Sequence, residues 1–519
     1  MTAVVTEGES ARGTTRSTRR LVAVLMGGAL VSKLLGFARE LMMAQVLGAS
    51  LIADGFRGAM TAILLPLAFL QNESVPAIMI PGQRDALARG DAPVRLASLT
   101  TALTLMALVL TIAVEAAGAW WIDAVVGGFV PEGRETTLAF VRIMALGMPA
   151  SVALNCLAAG EIALGRSRIT NLRAGLLNVC VMLGLALLML TGRVDVLAWA
   201  FTLSFNALAA WGVWTLWREG QLSFAGARPS LVLASGADFL RRLRPLLALP
   251  FAEQLNVWIE RLLTSRLGTG TVASLDYART LTDSATLLIS QPVGLGVLSS
   301  HPPEDDRARI ERIAAPVLAL ALPASMFVVV FAPEIVRLVF FRGAFTEQAV
   351  ALTSQALQGI AAGLWASTLG WILLRTLNST GRNLHAALIL IAAYALNMVF
   401  NLATASLQQS SGVGVLIIGT GEAVRSLVLL GGTLLALSCR RRIAVLILIA
   451  AGPALAMLGA GLMIRAEITG LLPRLTAGGG ACAAAVAVAA LLLMPATCRA
   501  VAVQIRDRIR DRIFSAGRS

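Results

Sequence analysis

Apolar runs recur along the chain from Leu21 to Pro495, separated by short polar stretches. Most are about 20 residues or longer, the length an α-helix needs to cross the hydrocarbon core of a bilayer. A transmembrane barrel would show short alternating segments instead. The pattern therefore predicts an all-α polytopic membrane protein, each helix satisfying its own backbone polar groups. About fourteen spans are expected. Their cores lie near 21–46, 54–80, 96–126, 136–163, 170–191 and 194–217, then 245–266, 272–299, 313–341, 348–377, 384–404 and 413–438, and last 443–464 and 474–496. The chain divides on this reading into a tail (1–20), a first six-helix lobe (21–217), a polar connection (218–244), a second six-helix lobe (245–438), two further helices (439–497) and a basic tail (498–519).

Composition agrees with a membrane class. The 519 residues are 57% hydrophobic with mean hydropathy +0.78, well above a soluble average. The net charge of +14 would suit a nucleic-acid binder, but no polar face with stacking aromatics carries it. The arginines instead follow the even spans: Arg84, Arg89 and Arg95; Arg166, Arg168 and Arg173; Arg241, Arg242 and Arg244; Arg307, Arg309 and Arg312; Arg440, Arg441 and Arg442. By the positive-inside rule both termini are cytoplasmic. The first run, behind Arg19 and Arg20, reads as a retained span rather than a cleaved leader. In the last segment Ile505, Ile509 and Ile513 recur every fourth residue among arginines, which makes a basic amphipathic anchor for anionic lipid. The five cysteines show no paired or metal-ligating spacing and read as small apolar fillers.

Charges inside the first two spans change the picture most. Lys33, Arg39, Glu40, Asp54, Arg57 and Glu73 stand in or beside segments apolar enough to cross a bilayer. A charge there costs about 3 kcal/mol, so it faces protein or a wet cavity. Ser32, Gly36 and Arg39 share one helical face, flanked by Lys33 and Glu40. That basic stripe suits an anionic group such as phosphate, for which arginine offers a fork of fixed donors. The competing reading is internal neutralisation, with Arg39 paired to Glu40 or Asp54 and Lys33 to Glu73. Asp54 and Arg57 also stand at a span start, where an acid caps a helix. Glu253, Asp283, Glu115 and Glu422 are further intramembrane acids, and Asn397 with Asn401 shares one face four residues apart. Of these, Asn397, Asn401, Glu253 and Asp283 are the candidates for coupling to a monovalent cation.

The constellation occurs twice. Arg39-Glu40, Leu47-Gly48 and Asp54-Gly-Phe-Arg57 are echoed by Glu260-Arg261, Leu267-Gly268 and Asp276-Tyr-Ala-Arg279. Six spans separate the copies, so they insert in the same orientation, and two lobes related by an axis along the membrane normal are expected around a central cavity. No GxxxxGK[ST] phosphate loop, HExxH motif or Ser-His-Asp set is present, and no polar stretch is long enough for a catalytic domain. The chain reads as a mover of something rather than an enzyme, with no cofactor implied.

These residues carry a resemblance to the MurJ/MviN family of the multidrug/oligosaccharidyl-lipid/polysaccharide exporter superfamily. Its bearers are SKLLGFARE (32–40), Leu47-Gly48-Ala49 with Asp54 and Phe56, Glu73 with Pro81, Tyr277-Ala278-Arg279, Phe341-Arg342-Gly343-Ala344-Phe345-Thr346 and Leu396-Asn397. The resemblance implies a flippase for undecaprenyl-pyrophosphate-linked glycans, typically lipid II, working by alternating access and driven by membrane potential or a cation gradient. Spans 13 and 14 would then line a groove for the lipid tail. Arg39 matches the arginine that meets the pyrophosphate, and Ser32, Lys33, Asp54, Arg57, Glu73 and Arg279 complete the implied substrate site. Lys33 stands where arginine is usual. Leu65-Pro66-Leu67-Ala68 lacks the arginines that usually follow a Pro-Asn-Leu stretch, and Arg279 and Thr280 replace an acid and an arginine. Partners implied are the lipid-linked oligosaccharide, membrane lipids and cell-envelope synthesis proteins, with no nucleic acid. Alternatives are a flippase for exopolysaccharide or O-antigen repeat units, a drug/cation antiporter of the same fold, and a non-transporting membrane scaffold.

Overall fold

The computed structural model describes residues 27–28, 30–72, 74–284, 306–407 and 410–496. The N-terminal tail, Glu73 and the basic C-terminal tail lie outside them. Among the described residues the secondary structure is helical, with no β-strand. The first helix, α1, covers 30–47 and is followed by α2 (Leu51–Gln71), α3 (Ser74–Arg89), α4 (Ala92–Ala116), α5 (Gly118–Val126), α6 (Pro131–Ala145), α7 (Met148–Ala163), α8 (Arg168–Thr191) and α9 (Val196–Arg218). Next come α10 (Pro229–Leu243), α11 (Ala248–Ser265), α12 (271–284), α13 (Asp306–Phe340), α14 (Glu347–Ala361), α15 (Leu364–Ser379), α16 (Asn383–Ala403), α17 (Ser411–Ala436), α18 (Arg440–Glu467) and α19 (Leu471–Leu493).

Nine of these helical stretches are long and apolar enough to cross a membrane, or eleven when two bent pairs are each taken as one span. The expected fourteen are not reached on length and composition. The first, seventh and eighth expected spans are the ones missing, for physical reasons. Lys33, Arg39 and Glu40 load α1, and Glu253, Glu260 and Arg261 load α11, while α12 is described only as far as Ser284. The two bent pairs are α6 with α7, at 46°, and α14 with α15, at 48°. They correspond to the fourth and tenth expected spans, six apart, as the internal repeat requires. The first bend falls at Gly147, ahead of Pro149 at the start of α7. At the second, a side chain on Gly363 would run into the backbone of Ala423, so only glycine lets α15 start there.

The chain forms two compact units, Met1–Ala273 with Arg342–Thr346, and Ser274–Phe341 with Glu347–Ser519. In the first, Phe56 meets Phe140 edge-on at 5.7 Å, and Gly55 and Gly58 bring α2 against Thr137 and Phe129. Asn72 ends α2 by donating to the Ala68 and Phe69 carbonyls while its Oδ1 accepts the Ser74 N–H. The polar break expected at 72–74 is thus a satisfied one. Beyond α9, the Glu219 carboxylate accepts from Arg168 at 2.8 Å and Arg166 at 2.6 Å, and chiefly Arg168 holds it below the usual carboxylate range.

In the second unit, α14 and α17 touch through Gly359 and Gly419, each facing the other helix's backbone. Small residues allow this close approach where lipid gives helices no hydrophobic reason to associate. The longest helix, α13, kinks at Phe331, next to Pro333. The Phe331 ring occupies the space that side chains on Gly461 of α18 and Gly478 of α19 would need. Ion pairs fasten both ends: Arg442 to Glu311 at 2.8 Å, and Arg465 to Glu334 at 3.2 Å. The spacing is the same along both helices, so α13 and α18 run parallel and in register. Arg474 of α19 also reaches Glu334 at 3.2 Å. Glu334 is buried, and removing one member of a buried ionic cluster costs about 3 kcal/mol. Glu334→Ala should therefore lower the thermal unfolding midpoint of the purified protein well below that of Glu311→Ala, whose ion pair is more exposed; equal midpoints would refute the role given to this cluster.

Candidate functional site

The charged residues of α1 and α2 form one buried arrangement. Glu40 is almost fully enclosed, and its two carboxylate oxygens accept from Arg39 at 2.6 Å and from Arg57 at 2.5 Å. Two guanidiniums thus share one carboxylate, and these three groups together carry one positive charge inside membrane helices. Arg57 is buried and Arg39 only partly so, with the Arg39 Nε lacking an acceptor. The pairing of Arg39 with Glu40, expected as the neutralising alternative, is present. Arg57 joins that pair on the second carboxylate oxygen.

Asp54 takes a different role from its neighbours. Its carboxylate is buried and accepts the Gly270 N–H at 2.5 Å and the Ala273 N–H at 2.8 Å. These belong to the first turn of α12, whose unbonded N–H groups attract an anion. Asp54 therefore caps α12, while its own helix is capped by the Ser50 hydroxyl. Three left-handed glycines surround this contact. Side chains at Gly48, Gly270 and Gly343 would strike the carbonyls of Ala344, Ala49 and Gln45 respectively. The Ala344 N–H also donates to the Gln45 carbonyl at 2.8 Å. The span ends 45–49 and 268–273 and the loop 342–346 thus meet backbone to backbone.

The other expected site residues are dispersed. Ser32 is half-buried, and its carbonyl accepts from Asn178 of α8 at 3.2 Å, fixing α1 against α8. Lys33 is exposed, and Glu73 lies outside the described residues. Arg279 belongs to the second unit. There its Nε donates to Glu422 at 2.5 Å, with Asp276 at 3.4 Å, and Arg425 takes the second Glu422 oxygen at 3.0 Å. Arg425 was not singled out in the sequence, although Glu422 and Arg425 stand three apart in an apolar span, the spacing of a helical ion pair. Asn397 and Asn401 are fully buried, with the Asn401 amide donating to the Asn397 oxygen at 3.1 Å. Both carboxamide oxygens press on α17 at Gly421, where any side chain would displace them. Glu253 lies on α11 of the first unit and Asp283 on α12 of the second. Arg173, read from sequence as a loop residue, is inside α8 and donates to the Asn155 oxygen of α7 at 3.0 Å.

The Asp54 cap gives a sharp expectation. Asn in its place offers one acceptor and turns an N–H2 toward a backbone donor, a loss of about 2 kcal/mol. Asp54→Asn should lower the unfolding midpoint and speed deuterium exchange at Gly270 and Ala273, whereas Ser50→Ala should leave those two amides unchanged. Unaltered exchange in Asp54→Asn would rule the cap out.

Comparison with known proteins follows the same lines. Residues 43–476 match the family model for lipid II flippase MurJ. A probable lipid II flippase MurJ of Rhizobium meliloti (strain 1021) is 29% identical over 378 residues, covering 67% of this chain and 68% of that protein. Among solved structures, lipid II flippase MurJ in an inward closed conformation superposes with a TM-score of 0.74 at 15% identity, over 90% of this chain and 99% of that one. An inward-facing multidrug resistance MATE transporter of the MOP superfamily gives 0.55 at 14% identity, over 80% of this chain and 95% of that one. At these identities the structural likenesses show a common fold.

Proposed function

The chain belongs to the lipid II flippase MurJ family, and from that premise we propose that it carries lipid II from the inner to the outer leaflet of the bacterial inner membrane by alternating access. Both termini are then cytoplasmic, the side to which the arginine-rich loops assign them. The observation that supports this reading best is the triad of Arg39, Glu40 and Arg57. Arg39, part-exposed and with its Nε donor unused, has a donor for an incoming anion, and a pyrophosphate is the anion on this substrate. Arg39 is the partly open member. Its guanidinium exchanges the Glu40 oxygen for a pyrophosphate oxygen while Arg57 stays on the carboxylate. No bond is made or broken in the substrate; the protein supplies a polar route for the headgroup while the prenyl chain stays in lipid.

A monovalent cation coupled to this movement would be held by Asn397 and Asn401. The Asn401 oxygen is buried without a hydrogen-bond donor, and Gly421 leaves both oxygens room. Such a cation would supply charge compensation.

Cells depleted of their own lipid II flippase test the reading. The wild-type chain should restore lipid II exposure at the outer leaflet. Arg39→Ala at equal expression should reduce it at least about tenfold, as loss of a charge-assisted hydrogen bond implies. Arg39→Lys should fall between them. Full rescue by Arg39→Ala would remove the phosphate role from this arginine, and a well-expressed wild type that never rescues would overturn the assignment to lipid II.

A further inference from the structure

Arg173 has no part in the arrangement described so far. It projects from α8, a membrane helix, and is largely enclosed, yet no carboxylate pairs with it among the described residues. The bond from its Nη1 to the Asn155 oxygen engages one of five guanidinium N–H groups. Asn155 is itself buried, and its Nδ2 has no acceptor. The Arg173 bond fixes the orientation of that carboxamide, because its oxygen must face the guanidinium. Spare guanidinium donors and a buried amide N–H2 therefore stand on either side of one hydrogen bond, with no acceptor supplied to them among the described residues.

Among the described residues the surroundings do not complete the site. One turn earlier on α7, the Ser151 hydroxyl accepts from Gln71 of α2 at 2.7 Å, so α2 brings a neutral amide to this face and no charge. Asn178, further along α8, is spent on the Ser32 carbonyl. A guanidinium in a membrane helix with no carboxylate beside it among the described residues is costly, and the unsatisfied buried Nδ2 of Asn155 adds to that cost. An anion with several oxygens removes both penalties at once. Phosphate fits, since the guanidinium fork and a neighbouring N–H2 can bind two oxygens of one group.

We propose that Arg173 and Asn155 form a phosphate-binding pair, and that the phosphate they take belongs to the pyrophosphate of the transported lipid, making Arg173 a substrate-positioning residue. This rests on the flippase reading above. A bilayer phospholipid headgroup has the same chemistry and is the alternative the experiment must separate.

Binding of undecaprenyl pyrophosphate and of phosphatidylglycerol to the purified full-length chain, measured in parallel by native mass spectrometry, makes that separation. Arg173→Gln should weaken undecaprenyl pyrophosphate about tenfold, with Arg173→Lys losing less and phosphatidylglycerol unchanged. Asn155→Asp supplies the missing carboxylate. It should raise the unfolding midpoint by pairing with Arg173, yet weaken undecaprenyl pyrophosphate as far as Arg173→Gln does. A purely structural arginine would gain stability there and keep its ligand, which would overturn the proposal. Loss of phosphatidylglycerol alone in Arg173→Gln would overturn it in favour of a bilayer lipid. If wild type binds and Arg39→Ala abolishes binding while Arg173→Gln does not, this proposal falls and the flippase reading stands. If wild type does not bind, both fall.

Discussion

The carboxylate of Asp54, received by the backbone N–H groups of Gly270 and Ala273, is the contact on which the first unit most depends. It joins the start of α2 to the start of α12 without using another side chain. The geometry is possible because the chain ends around it approach backbone to backbone, at Gly48, Gly270 and Gly343. All three lie at positive φ, where a Cβ would be strained as well as blocked. The Leu-Gly span ends and the Arg342-Gly343-Ala344 motif therefore have a common physical cause. They build a junction in which no side chain can stand between neighbouring strands of backbone.

Charge inside the helices follows a single rule at three places. Glu40 holds Arg39 and Arg57, Glu422 holds Arg279 and Arg425, and Glu334 holds Arg465 and Arg474. Each glutamate is buried, and two arginines offset a group that would otherwise be expensive in the membrane. Glu40 and Glu422 receive one on each oxygen, whereas both arginines of Glu334 meet its Oε1. In the second cluster Asp276, 3.4 Å from Arg279, adds another acid. Arg173 breaks the rule, having a carboxamide where the others have a carboxylate.

Much of this was legible in the sequence because membrane helices leave strong marks. Apolar runs located most of the helices, and the paired motifs at 39–57 and 260–279 led to the expectation of a repeat. The bends of α6–α7 and α14–α15, six spans apart, carry the same repeat into the backbone. Sequence could not say which acid meets which arginine, since those partners come from different helices. Asp54 looked like the cap of its own helix, but the Ser50 hydroxyl is one turn nearer and the α12 amides face the carboxylate. Arg173 looked like a loop charge because it closes an arginine cluster with Arg166 and Arg168. The helix in fact starts at Arg168, which carries Arg173 a turn and more inside. Arg465 and Arg474 acquire meaning only beside Glu334 of another helix, whereas Arg425 and Glu422 stand at helical ion-pair spacing within one span.

The parallel fastening of α18 to α13 has a practical consequence for watching this protein at work. Held at Glu311 and again at Glu334, with Phe331 lodged under Gly461 between them, α18 cannot slide or roll independently of the long kinked helix. Its outer surface, at Leu455 for example, is exposed; Cys156 and Cys439 are buried, and the part-exposed Cys180 and Cys482 would first be replaced by serine. A single engineered cysteine at Leu455 would accept a fluorophore or spin label without touching either cluster. The label would act as a pointer on α13, turning a helix buried in the second unit into one whose position can be read from outside.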